Sequence, residues 1–193
     1  MSDDAYRELR ADPHLGDVVD EHGPLSLDPA DDPFERLVVS IVNQQLSTTA
    51  AATIRDRLFD RVEVTPEGIL AADEAVLRDC GLSNQKVGYV RNVAEAFRGG
   101  LSADSLRAMD DGEVVAALTE IRGVGDWTAK MFLIFVLARE DVFPVEDLGI
   151  RRGMEHVFGF ERDAVSRGEM RERAERWAPY RSYASRYLWR CVD

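Results

Sequence analysis

Apolar positions along the chain recur at steps of three and four. From Pro33 they fall at Phe34, Leu37, Val38, Ile41, Val42 and Leu46, and again at Ile54 and Leu58. That is the spacing of one face of an α-helix. Pro33 suits a first helical turn, with Asp31 or Asp32 as its cap. Thr65-Pro66-Glu67 is a cap signal and opens a short helix over 65–79. Val87, Val90, Val93, Ala94 and Phe97 mark a helix within 84–98, and Val114, Val115, Leu118 and Ile121 mark another within 112–121. Residues 127–138, WTAKMFLIFVLA, are apolar almost all round, which predicts a helix buried on most sides. From 169 onward Met170, Ala174, Trp177, Tyr183, Ala184, Tyr187, Leu188 and Cys191 predict one or two closing helices. No segment alternates as a strand would. The expected fold is all-α, about ten short helices separated by glycine and proline.

Length and composition narrow the class. A chain of 193 residues, 45% apolar and 31% charged, is globular and builds one large domain or two small lobes. No run approaches the roughly 18–20 apolar residues of a membrane span. The acidic start, MSDDAYRELRAD, lacks the apolar core of a signal peptide. Cys80 and Cys191 are too few for a disulfide scaffold, a four-cysteine zinc site or an iron–sulfur cluster. His14, His22 and His156 have no ligand spacing. A cytoplasmic protein with free thiols is expected.

The net charge of −12 argues on its face against a nucleic-acid partner. Its distribution changes that. Residues 1–35 hold eleven acids and two arginines, whereas 162–190 hold eight arginines and four acids. Lys86 and Lys130 are the only lysines. An acid-rich, lysine-poor surface fits a protein working in high salt, where acidity keeps the chain soluble and says nothing of its partner.

The segment LTEIRGVGDWTAKMFLIF at 118–135 carries the first candidate chemistry. A helix ends near Ile121, Gly123-Val124-Gly125 turns the chain, and a second helix starts near Asp126. The glycines permit a tight turn and close approach of another backbone. Amides opening the second helix would point outward at the positive end of its dipole, where a phosphate binds without regard to sequence. An ordinary corner in a helical bundle would look the same. Beyond the buried helix comes Asp141-Val142-Phe143-Pro144-Val145-Glu146-Asp147-Leu148-Gly149. Asp147 is placed to cap the next helix. It is either a structural N-cap or an anion held ready to stabilise a developing cation.

Hairpin, buried helix, then proline and aspartate resemble the helix-hairpin-helix–Gly/Pro–Asp superfamily of DNA glycosylases. Three further segments extend the resemblance in order over about 33–190. IVNQQLSTTAAATIRDRL at 41–58 resembles the family's early Gln-Gln helix. GLSNQKVGYVRNVA at 81–94 resembles its Leu-Ser…Lys…Tyr segment, and WAPYRSYASRYLWR at 177–190 the close of its alkylation-repair branch. The bacterial inducible and yeast types of 3-methyladenine-DNA glycosylase are the nearest in pattern. The β-lobe that precedes these helices in the bacterial inducible type is not expected in this sequence.

The resemblance implies a two-lobed architecture, one lobe at 34–128 and the other combining 1–33 with 129–193, with Asp147 in the cleft between them. It implies a monomeric glycosylase, without membrane association, that acts on damaged double-stranded DNA. The expected reaction excises alkylated purines, 3-methyladenine first and 7-methylguanine second. The alternatives are a glycosylase for hypoxanthine, ethenoadenine or a deaminated base, and a non-catalytic hairpin DNA-binding protein.

Asp147 matches the catalytic aspartate. Trp127 stands where bifunctional relatives carry a nucleophilic lysine, which implies hydrolysis by water and no lyase step. Its indole would stack on a flipped base, although a core tryptophan is the plain alternative. Trp189 and Met131 would complete the base pocket. Gln45 matches the residue that wedges into the vacated stack, and Ser47 would face the minor groove; a solvated or capping role is the alternative for Gln44 and Gln45. Gly123, Gly125 and Thr128, with Lys86, Arg91 and Arg122, are phosphate-binding candidates. The family's hairpin carbonyls hold a monovalent cation, and the matching ones belong to Thr119, Ile121 and Val124. No other cofactor is implied, and the cysteine count sets the chain apart from the cluster-bearing branches.

Overall fold

A computed structural model describes residues 1–192, Thr48 by its backbone alone. The chain forms two compact units, one of Met1–Pro29 with Leu133–Asp193 and the other of Ala30–Phe132. Among the described residues there are thirteen α-helices, one 3-10 turn and no strand.

The first unit opens with α1 (Asp3–Arg10) and α2 (Gly16–His22), which pack on each other. It resumes after the second unit with the end of α10 (Asp126–Phe135), then α11 (Leu148–Phe158), α12 (Arg167–Ala174), a 3-10 turn at Glu175–Trp177 and α13 (Arg181–Arg190). Leu9, Leu15, Met154, Trp177, Tyr187 and Leu188 are its buried centre. α11 and α13 make its most extensive helix pair. They approach closely because α11 presents glycine there: a Cβ on Gly153 would lie 2.4 Å from the Leu188 carbonyl oxygen.

The second unit contains α3 (Pro33–Asn43), α4 (Thr48–Arg61), α5 (Pro66–Ala71), α6 (Glu74–Asp79), α7 (Asn84–Arg98), α8 (Ala103–Arg107), α9 (Asp111–Thr119) and the first turns of α10. α7 is its axis, packing on α3, α5 and α6. Ile41, Val42, Val87, Val90, Val93 and Leu118 are buried there.

The sequence pattern places most of these helices correctly but counts too few. Two short helices precede Pro33, α8 is additional, and the predicted helix at 65–79 is two. Ala72 and Asp73 leave helical geometry with ψ of 136° and 139°, which divides α5 from α6. The apolar run from Pro33 breaks after Asn43, and Leu46 falls in the turn, 38% exposed. Short polar residues set the N-termini. Asp32, Ser47, Thr65 and Ser83 each accept a backbone N–H three residues on, and Asp110 with Glu113 forms a reciprocal capping box.

One ion pair in the first unit links stability to pH. Glu155 is buried, and both its carboxylate oxygens take Arg152 Nη1, at 2.8 and 2.7 Å. The Asp163 backbone N–H adds a third bond at 2.9 Å. Burial opposes the charge, but Arg152 and the Asp163 amide outweigh it and hold the carboxyl below the usual glutamate range. A depressed folded pKa means that this stabilisation is complete above the unfolded value and disappears as pH falls through the folded one. Glu155→Gln is therefore expected to lower Tm by roughly 3 °C at neutral pH. The gap should close in acid, where wild type carries a neutral carboxyl too. A Tm difference that persists unchanged down to about pH 3 contradicts this assignment.

Candidate active site

Asp147 ends the stretch Asp141–Glu146, whose course is fixed by the start of α13. Arg181 grips Asp141 with Nε on Oδ1 at 2.7 Å and Nη2 on Oδ2 at 2.9 Å. The Ser182 hydroxyl donates to Arg139 O at 2.6 Å and accepts the Val142 N–H at 2.9 Å. The Tyr183 hydroxyl donates to Glu140 at 2.9 Å. Burial, and then that carboxylate, push the Tyr183 phenol up to about 12, so it remains a donor across the physiological range. A turn closed by Asp147 N–H to Pro144 O at 2.9 Å delivers Asp147 to the start of α11.

There Asp147 has the extended backbone of an N-cap, and its Oδ1 accepts the Ile150 N–H at 3.0 Å. The same oxygen accepts the Trp189 indole N–H at 2.8 Å. Two donors thus converge on one carboxylate oxygen, bonds of the charge-assisted kind that fix a carboxylate firmly. Trp189 is held in turn by stacking on Phe135, centroids 5.7 Å apart and planes 27° apart. Gly149 makes the meeting possible. A Cβ there would lie 2.8 Å from Trp189 Cδ1 and 3.0 Å from Asp147 Oδ1. Gly149 and Gly153, one helical turn apart, form the face of α11 that receives α13. Asp147 is half-buried and does not lie inside the core.

The Trp189 indole N–H is engaged with Asp147 while the residue stays half-exposed, so the bond does not conflict with the expected place of its ring in the base pocket. The spacing Gly149-x-x-x-Gly153 is the sequence signal for this contact. Its partner, however, lies 42 residues away from Asp147 and no local pattern names it.

The second unit holds the hairpin. Gly123 has φ of 112°, in the region that favours glycine. Its missing side chain is also required by Tyr89, whose ring carbon Cγ would stand 2.2 Å from a Cβ. Gly125 is exposed and a Cβ there would meet nothing, so its backbone is open to another molecule. Trp127, in the first turn of α10, is half-buried. Met131 is 4% exposed and belongs to the core.

Several phosphate candidates are corrected. The Lys86 ammonium donates to Val42 O at 2.8 Å and Gln44 O at 2.7 Å; it caps the end of α3. Arg91 does the same for α5, donating to Ala72 O and Leu70 O. The Thr128 side chain is 1% exposed and its hydroxyl accepts the Gln44 amide at 3.3 Å, so only its backbone could serve a phosphate. Arg122 is exposed, with its carbonyl taken by Asn92 at 2.9 Å. Ser47 caps α4 through the Ala50 N–H and is exposed. Gln45 is exposed with φ of 57°, while Gln44, read with it as a solvated or capping pair, turns inward to the hairpin. No cluster of three or more metal-ligating side chains occurs among the described residues.

Comparison with known proteins agrees with the sequence pattern. Residues 38–179 match the model of the HhH-GPD superfamily base excision DNA repair proteins. DNA-3-methyladenine glycosylase 1 of Schizosaccharomyces pombe is 34% identical over 166 residues, 82% of this chain and 72% of that protein. The DNA-3-methyladenine glycosylase of Saccharomyces cerevisiae is 30% identical, over 84% of this chain and 68% of its own. Among solved structures, the S. pombe 3-methyladenine DNA glycosylase in complex with abasic DNA superposes with a TM-score of 0.89 at 30% identity, covering 97% of this chain and 95% of its own. A DNA-3-methyladenine glycosidase from Bacillus halodurans gives 0.83 at 33%, covering 98% and 89%. With the family model spanning most of its length and relatives this similar across their own, the chain belongs to the HhH-GPD superfamily of base excision DNA repair proteins.

Proposed function

We propose that the chain is a monofunctional DNA glycosylase that hydrolyses the N-glycosidic bond of alkylated purines in double-stranded DNA, 3-methyladenine first, and leaves an abasic site. The observation that carries the reading is the half-exposed Asp147 carboxylate, pinned at the start of α11 by the Ile150 amide and the Trp189 indole. Departure of the base leaves positive charge on the sugar. A carboxylate fixed beforehand stabilises that oxocarbenium-like state without reorganising, and it can align the attacking water. The two donors keep it in place, and Trp189 acts through Asp147.

Trp127, standing where a lysine would attack the sugar, is assigned to stacking on the extrahelical base; an electron-rich face favours a cationic alkylated purine. Gln45 is assigned to the vacated stack. Ser47 is assigned to the minor groove, and Arg122 with the amides of Gly123 and of Gly125 to Thr128 to the DNA backbone. The Thr119, Ile121 and Val124 carbonyls are proposed to hold a monovalent cation. Thr119 ends α9, where helix carbonyls carry the negative end of the dipole, and Ile121 O already accepts the Val124 N–H at 2.9 Å, which orients it within the turn. A cation there would add positive charge beside a bound phosphate. Action as a monomer in the cytoplasm is proposed with this reading; the free thiols of Cys80 and Cys191 fit a reducing compartment.

The experiment offers the protein duplexes carrying 3-methyladenine, 7-methylguanine, hypoxanthine, ethenoadenine and uracil, and measures the free base released. Release from the methylated purines, with abasic strands left uncut, is expected. Borohydride should trap no protein–DNA adduct, since hydrolysis forms no Schiff base. A trapped adduct would overturn the monofunctional assignment, with Lys130 as the nearby amine to test.

A further inference from the structure

The exposed turn after α3 and the hairpin are both held by α7. Gln45, Leu46 and Ser47 are exposed in that turn. Gln45 is a non-glycine residue at φ 57°, a conformation that persists only where its flanks impose it. One flank is Lys86 of α7, whose ammonium bonds the carbonyls of Val42 and Gln44. Burial disfavours that charge and pushes the Lys86 pKa down, whereas an apolar side chain would fill the space without the penalty. The other flank is Gln44. Its side-chain amide donates to Gly123 O at 3.1 Å and to Thr128 Oγ1 at 3.3 Å. From the same helix, the Tyr89 ring packs beneath Gly123 and Asn92 donates to Arg122 O at 2.9 Å. Lys86, Tyr89 and Asn92 follow at steps of three and so share a face.

We propose that Gln44 and Lys86 are positioning residues that lock the exposed turn 45–47 and the hairpin 121–125 into one register, so that phosphate binding and entry into the base stack occur at a fixed nucleotide spacing. The proposal rests on the glycosylase reading. It concerns neither Asp147 nor the base pocket, and predicts that the lock matters where the duplex must be opened.

The test compares base release from a fully paired duplex with release of the same methylated purine from a single-nucleotide bulge, where the base is already poorly stacked. Gln44→Glu keeps the shape but aims an acceptor at the Gly123 carbonyl. Lys86→Met keeps most of the apolar stem and removes the donors. Each is expected to lower the paired-to-bulged rate ratio at least tenfold, roughly the effect of one lost hydrogen bond with its partner left unsatisfied. Lys86→Arg, which keeps charge and donors, should stay within about threefold of wild type. A smaller folded fraction would lower both rates equally, so an unchanged ratio overturns the proposal whether or not the rates fall. If wild type releases no base from either substrate, the glycosylase reading fails. The lock is then judged by affinity for a duplex containing a tetrahydrofuran abasic analogue, relative to the same duplex without it. A tenfold loss of that preference in Gln44→Glu supports the lock, and an unaltered preference overturns it.

Discussion

Asp147→Asn is expected to reduce base release by about 10²–10⁴-fold while leaving the fold intact. The two consequences separate because the residue has two jobs. As a cap, asparagine is about as good as aspartate, and its carbonyl oxygen can still accept the Ile150 amide and the Trp189 indole that now meet on Oδ1. Tm should therefore move by no more than a few degrees. As the group facing a developing cation, asparagine lacks the charge that the transition state needs. Single-turnover release of 3-methyladenine measures the loss, and circular dichroism melting checks the fold. Undiminished release would remove Asp147 from the chemistry and leave it a cap. Trp189→Phe should show a smaller loss of the same kind, since it deletes one donor and keeps a ring to stack on Phe135.

Gly153→Ala is expected to be strongly damaging for the addition of a single methyl. In an unobstructed helix interior the change would stabilise by up to about 1 kcal/mol, because alanine is the better helix former. Here the new Cβ would stand 2.4 Å from Leu188 O and 2.8 Å from Leu188 Cβ. A backbone carbonyl has no rotamer by which to retreat, so α13 must shift away from α11. A net destabilisation of about 2–3 kcal/mol follows, measured by urea unfolding. Gly149→Ala reaches the site more directly. Its methyl would meet the Trp189 ring and Asp147 Oδ1, so kcat should fall about tenfold or more with a modest loss of stability. If either alanine variant proves more stable than wild type, the close approach of α11 and α13 is not as described.

The protein's helices were largely readable before its tertiary structure was known. α7 is the clearest case: apolar spacing at Val87, Val90, Val93, Ala94 and Phe97 marks 84–98, the span found. Asp147 was equally readable as a cap, since capping is a contact between residues three apart. Helical periodicity, caps and turn glycines involve neighbours in sequence, so one chain carries them in full. The short elements α1, α2 and α8 were not legible, and α6 was not separable from α5, because five to eight residues show too few turns for a period to emerge.

What tertiary structure alone decided is where the polar side chains were used. Lys86 and Arg91 look like phosphate ligands in sequence, but each caps the end of another helix, more than forty and about twenty residues away respectively. Gln44 reaches across 79 positions to the hairpin, and Trp189 across 42 to Asp147. A donor satisfies whichever acceptor the packing brings within 3 Å, and packing depends on distant apolar faces meeting at glycines such as Gly149 and Gly153. Local order thus follows from the chain's own periodicity, whereas the partners of its amides, ammonium groups and indole exist only once those faces have met.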